Sequence, residues 1–317
     1  MNNGNNEYEL FRGWTLLHRL REEKPLIHCI TNYVTANDVA NMILASGASP
    51  VMADDKNEVE EITALSKALV LNLGTLKESS IDSMLLAGKK AVSLGNPVIL
   101  DPVGAGASVF RTKAAQKIIK EIPCTVIRGN ASEIRAAAGA ISYSQGVDAD
   151  IKDQVTDSNL ADTESFLKDF SNKTGAVIIM TGETDMIADK DQVCKVKNGH
   201  SMMAGITGTG CMLDGILAAF QAASMQVNPL HTTPLPTAPL HTAPSHTTPL
   251  HTIHHTSPDS TFLRCIYAVA AAGICGELAY EKTASTEAGT ASFRIHYIDA
   301  MSKLTDKDIQ GGIRFEI

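Results

Sequence analysis

A run of glycines, hydroxyls and a thiol, Thr207-Gly208-Thr209-Gly210-Cys211, leads directly into an apolar stretch with Met212, Leu213, Ile216 and Leu217 at helical spacing. Gly208 and Gly210 let the backbone approach a ligand closely and adopt positive φ. A helix opening there points unpaired N–H groups and the positive end of its dipole at whatever occupies the loop. Such a loop binds anions and suits a phosphoryl group in transfer. Cys211, at its end, is a nucleophile or base candidate. On the first turn of a helix its thiolate is favoured, so the expected pKa lies below the ordinary ~8.5. Even so, a thiolate is a weak base for an alcohol. Phosphoryl transfer has a loose transition state governed by positioning and charge stabilisation, so Cys211 either accepts the proton late or mainly orients the hydroxyl.

Acidic and cationic partners lie elsewhere in the chain. Asp101 opens Asp101-Pro-Val-Gly-Ala-Gly106, where a metal or a phosphate-bound water would sit, and Asn130-Ala-Ser-Glu133 opens another helix. Asn130 with Glu133 has the spacing of a capping box. Magnesium, however, needs only one or two carboxylates beside waters and phosphates, and Asp101 with Glu133 would supply them. Arg128 is placed to contact triphosphate oxygens. Thr181-Gly182 offers a hydroxyl and an amide, although the same pair also makes simple turns.

These groups share a context, because each follows an apolar run. Leu26–Ile30, Ser49–Ala53, Leu69–Leu73, Pro97–Leu100, Thr125–Ile127 and Ala176–Met180 read as strands. Helices follow near Ala36–Ser46 and Ser80–Leu94, and Met186–Ala188 with Val193–Lys197 reads as an antiparallel hairpin at a sheet edge. Repeated strand–loop–helix order implies right-handed crossovers in a mostly parallel sheet. Open α/β sheets place ligands at the carboxyl ends of their strands, where these polar residues fall. Two long helices are expected after the Thr207 loop.

Residues 229–253 repeat with a period of five (PLHTT, PLPTA, PLHTA, PSHTT, PLHTI). Proline at that period forbids a helix and the segment cannot bury a core, so residues 228–260 read as an extended or disordered loop inserted into the domain. The loop carries six of the ten histidines: His231, His241, His246, His251, His254 and His255. A transition-metal role is one reading; the other is a tolerated expansion of a surface loop.

Aromatics make up 5% of the chain against 44% apolar residues overall, and the net charge is −8. The first balance suits a sheet covered by helices; the second argues against nucleic acid as a partner. No apolar run is read as reaching the roughly 18 residues of a membrane span. Six cysteines without CxxC spacing read as reduced thiols in a cytoplasmic protein.

The stretches His28–Val34, Ala48–Ala53, Leu71–Thr75, Ile99–Gly106, Ile127–Glu133, Thr181–Glu183 and Thr207–Cys211 together resemble the ribokinase-like superfamily and, within it, the hydroxyethylthiazole kinase family. The resemblance covers roughly residues 14–317 apart from the insert. It implies a single domain over 1–317 with a three-layer α/β/α sandwich around a mostly parallel sheet. The implied reaction transfers the ATP γ-phosphate to the primary hydroxyl of 4-methyl-5-(2-hydroxyethyl)thiazole with Mg²⁺, in thiamin salvage. On that pattern Asp101 and Glu133 are the magnesium and phosphate acids, and Arg128, Thr181, Asn130 and Gly182 lie toward ATP. Met52 and Gly208 contact the thiazole, with Asn32, Val34 and Gly74 nearby. Met52 also reads as ordinary core filling. The family pattern implies a homotrimer with sites at subunit interfaces. A cysteine at 211 is typical of the thiazole kinases, where most of the superfamily has Asp. A related kinase for hydroxymethylpyrimidine or a pyridoxal-like alcohol is a second reading. A non-catalytic ATP-binding module, with the repeat as an interaction tract, is a third. Cys211 and the Met52 segment argue against the second; the set Asp101, Glu133 and Cys211 argues against the third.

Overall fold

A strand covered on both faces needs no polar alternation, and the apolar runs of this chain form one sheet on that principle. The computed structural model describes residues 10–11, 13–139, 159–224 and 260–317. Strands β1 (Leu26–Ile30), β2 (Ser49–Met52), β3 (Ala68–Asn72), β4 (Val98–Asp101), β5 (Val126–Asn130) and β6 (Val177–Thr181) are parallel neighbours in the order β2-β1-β3-β4-β5-β6. The sheet continues antiparallel through β7 (Asp185–Ala188), β8 (Val193–Val196) and β9 (Phe315–Glu316). The β7–β8 hairpin appears where expected but does not form the edge. Two residues from the far end of the chain pair with β8 and cover it, and so short a strand carries little periodic signal.

Helices α1 (Leu16–Glu23), α2 (Ala36–Ser46), α8 (Thr209–Ala222), α9 (Thr261–Ser285), α10 (Thr290–Lys303) and α11 (Asp306–Gly312) build one apolar layer against the sheet. On the other face lie α3 (Val59–Leu65), α4 (Glu78–Ser93), α5 (Val109–Glu121), α6 (Ala131–Ala137) and α7 (Leu160–Thr174). This is the expected α/β/α sandwich. The chain adds α10 and α11 to the two long helices anticipated after the Thr207 loop.

Helix α9 corrects the reading of the apolar runs. It is 25 residues long, and an 18-residue window has mean hydropathy 1.5, enough by length and composition to cross a membrane; 89% of that window is buried inside the fold. Small residues such as Ala270, Ala271 and Gly273 let neighbours pack on every side of it. A helix apolar all round is either a membrane span or the core helix of a large protein, and here it packs against α8 and α10.

The insert, apart from its last residue, lies outside the described residues, but the helices on either side of it are described. Arg264 Nη1 of α9 donates to the carbonyls of Phe220, Gln221 and Ala223, which terminate α8, and Gln221 Nε2 donates to Thr261 O. Helices α8 and α9 are therefore joined directly where the insert leaves and returns.

Candidate active site

Parallel register brings the polar strand ends together. Asn72 at the end of β3 is the register partner of Asp101 at the end of β4, and Asn130 of β5 is the partner of Thr181 of β6. Helix α8 runs beneath this edge. It opens with Gly208 as N-cap at φ +92°, a left-handed conformation suited to glycine. A Cβ at Gly208 would lie 2.6 Å from Thr35 Cγ2, and one at Gly210 would lie 2.5 Å from Arg128 Nη2. Both loop glycines are thus required by close approach. Thr209 ties the loop back through its hydroxyl to Met203 O (3.3 Å), while Thr207 stays exposed.

Cys211 and Asp214, three residues apart on α8, point along one helix face. Arg128 Nε donates to Asp214 Oδ1 (2.9 Å) and its Nη2 to Asp101 Oδ2 (3.1 Å). Asn72 Nδ2 donates to Asp101 Oδ2 (2.7 Å) and Asp214 Oδ2 (3.2 Å) and lies 3.4 Å from Cys211 Sγ. These acids, Asn72 and Arg128 are all buried. Two carboxylates share one guanidinium in a low-dielectric setting, so the geometry sets the protonation of Asp101. Burial raises the Asp101 pKa well above the ordinary carboxylate range, Arg128 opposes the rise, and Asp214 adds to it. Burial disfavours the charge on Arg128, but Asp101 and Asp214 more than restore it.

Cys211 departs from its expected thiolate character. Burial pushes its thiol pKa up, and Asp214 and Asp101 push it further, with Thr35 and Arg128 opposing in part. The helix start favours an anion, but burial, with the two carboxylates nearby, outweighs it. Cys211 is the one cysteine of the six that is only partly buried.

The remaining candidates have definite positions. Glu133 forms the capping box: its amide donates to Asn130 Oδ1 (2.8 Å), and its Oε2 accepts from the Asn130 amide (3.0 Å). Its Oε1 accepts from Gly104 N (2.8 Å), clasping the loop after β4. Thr181 Oγ1 donates to Gly129 O (3.3 Å), and the Gly182 amide donates to Asp185 Oδ1 (3.0 Å). Gly74 packs so closely on Asn32 that a Cβ would meet it at 2.7 Å. Met52 and Val34 are 38% and 59% exposed, beside Tyr33 at 76%. Met52 is therefore not core filling. A cleft of about 840 Å³ opens next to the loop, bounded by Thr181, Gly182, Thr209 and Gly210 and floored by Leu213 and Val269.

Donor chemistry decides what a metal could use. One oxygen each of Asp101 and Asp214 and the Cys211 sulfur lie within 4.8 Å of one another. Asp101 Oδ1 is buried with no hydrogen-bond partner among the described residues, as suits a carboxylate oxygen offered to a hard cation. Sulfur is a poor ligand for magnesium, so the residues fit a magnesium held through Asp101, with Cys211 free for the acceptor.

Asn72 and Asp214 were missed from the sequence. Asp214 left one trace, as the lone charge in an otherwise apolar helix three residues after Cys211. Asn72 left only its place at the end of a strand.

The hydroxyethylthiazole kinase family model matches residues 17–238. A hydroxyethylthiazole kinase of Clostridium acetobutylicum is 44% identical over 300 residues, covering 95% of this chain and 97% of the relative. One of Desulfovibrio desulfuricans is 41% identical, covering 91% and 92%. Among solved structures, the hydroxyethylthiazole kinase protein of Pyrococcus horikoshii OT3 superposes with a TM-score of 0.73 at 30% identity, covering 95% and 96%. With a thiol, two acids and an arginine gathered under an anion loop and relatives of this length and identity, the chain belongs to the hydroxyethylthiazole kinase family.

Proposed function

We propose that this chain transfers the γ-phosphoryl group of ATP to the primary hydroxyl of 4-methyl-5-(2-hydroxyethyl)thiazole, giving its phosphate for thiamin salvage. The observation that carries this reading is the placement of Cys211 between the anion loop and the Asp101–Arg128–Asp214 cluster. The whole chain acts as one kinase domain with an insert at 228–260, and its free thiols suit the cytoplasm.

ATP lies in the cleft, with Thr181, Gly182, Asn130 and Arg128 on its phosphate side and Thr207–Gly210 cradling the transferred group. Arg128 has its Nε and one Nη2 hydrogen committed to the acids, which leaves its Nη1 edge, under Gly210, toward the phosphates. Asp101 would hold magnesium, with Glu133 as the second acid beside the loop it clasps, and the ion would supply charge neutralisation for the phosphates. Because Cys211 is held as a neutral thiol, its main role is to orient the acceptor hydroxyl, and in a loose transition state the hydroxyl proton leaves late. Met52, Gly208, Val34 and Gly74 border the thiazole, with Asn32 next to Cys211.

Exposed Tyr33, Val34 and Met52 at the carboxyl ends of β1 and β2 support a homotrimer in which a neighbouring subunit closes the pocket. ADP release with Mg²⁺-ATP tests the reaction, comparing hydroxyethylthiazole, hydroxymethylpyrimidine and pyridoxal as acceptors. Release should depend on the thiazole, and Cys211→Ala should lower kcat by about tenfold or more. Equal turnover with another alcohol would replace the substrate, and silence with all three would remove the reaction.

A further inference from the structure

The Asn32 carboxamide has no polar capacity left for a ligand. Its Oδ1 accepts from the Thr35 amide (3.0 Å) and the Thr35 hydroxyl (3.1 Å). A backbone N–H can only donate, so the atom facing it must be the oxygen, and the orientation of the amide follows. Its two Nδ2 hydrogens then have two acceptors, Asn72 Oδ1 (3.0 Å) and Cys211 Sγ (3.3 Å). Two lone pairs and two hydrogens are all a primary amide side chain offers. Asn72 is oriented in the same way: its Oδ1 accepts from the Gly74 amide (3.0 Å) as well as from Asn32. Its Nδ2 therefore faces Asp101, Asp214 and Cys211, three acceptors for two hydrogens, so Asn32 is a donor to the sulfur that the acids do not share. Both asparagines are buried, Asn32 at 5% and Asn72 at 0% exposure. Donors thus run one way, from the backbone of the loops after β1 and β3 to the thiol and the acids, and such chains of hydrogen bonds reinforce one another.

We propose that Asn32 is a positioning residue that acts through Cys211, fixing its sulfur as a hydrogen-bond acceptor in one place beside the anion loop, with Asn72 locking Asn32. This rests on the kinase reading above and gives Asn32 a role other than a polar contact to the thiazole. A positioning role and a substrate contact change different kinetic constants. Removing an interaction that the substrate makes equally in its ground and transition states raises KM, whereas misplacing the group that orients the hydroxyl lowers kcat.

Steady-state kinetics of the full chain, with Asn32→Ala and Cys211→Ala singly and together, decide the matter. Asn32→Ala should lower kcat about tenfold and leave KM for the thiazole alcohol within about threefold. In the Cys211→Ala background, Asn32→Ala should cost less than about threefold more, because residues acting as a unit are non-additive. A tenfold rise in KM at normal kcat, or fully additive losses of kcat, would overturn the proposal. If Asn32→Ala does not fold, Asn32→Ser, which keeps a hydroxyl beside the Thr35 amide, gives the same comparison. A wild-type protein without thiazole-dependent ADP release would instead reject the kinase reading, so the two failures are separable.

Discussion

At the scale of single residues, charge bookkeeping governs the site. Cys211 shows why a local rule can mislead. A helix N-terminus favours a thiolate, but burial, together with Asp101 from a distant strand and Asp214 from one turn along the helix, reverses the preference. His28 is a second buried titratable group, with Nε2 at 2.7 Å from Ala53 O and Nδ1 at 2.9 Å from Thr63 Oγ1. Burial lowers its pKa from 6.5. The unfolded chain therefore binds a proton below about pH 6.5 that the native protein refuses. The stability this group provides is complete above that pH and is lost as pH falls through the folded value. His28→Gln should flatten the fall of unfolding free energy below about pH 6.5, as measured by urea titration at several pH values. An unchanged slope would assign the acid sensitivity to other groups. The same imidazole holds the backbone next to Met52, so its neutral form also steadies the expected thiazole side of the site.

At the scale of elements, the parallel strands and α8 were legible in the sequence, since continuous apolar runs and a glycine loop before an apolar helix are strong local signals. Bounds differ by one to three residues, and Asp101 and Asn130 prove to be last residues of strands rather than first residues of loops. The short strand β9 and the last helices were not anticipated, because their assignment depends on what packs against them. Gly208 marks where local and tertiary demands meet. An L-residue in the left-handed region costs about 1–2 kcal/mol, and here a Cβ would also strike Thr35, whose amide anchors Asn32. Gly208→Ala should lose at least about that much stability in urea unfolding, and kcat should fall with it. A variant of wild-type stability would mean that the loop relaxes to another path without cost.

At the scale of the whole molecule, two apolar layers enclose the sheet, and every polar strand end lies along one edge. The histidine-rich insert connects two helices that already hold each other, through Arg264 on the end of α8 and Gln221 on the start of α9. The helix ends that flank it are thus close together, and closing a short loop between them costs little entropy. Replacing residues 229–257 with a short Gly-Ser turn should leave kcat/KM within a few-fold and the unfolding midpoint near that of the parent. A collapse of activity would assign the repeat a part in the site.

Local patterns in the chain determined the parallel strands, the loop glycines, the cap at Asn130 and the choice of Cys211 as the candidate thiol, because each rests on residues within a few positions of one another. Asn72 and Asp214 entered the site only through tertiary structure, as did the inward pairing of Arg128. Their partners come from different strands and from a helix more than eighty residues away, and ion pairs and carboxamide orientations are decided by what the fold brings within about 3 Å.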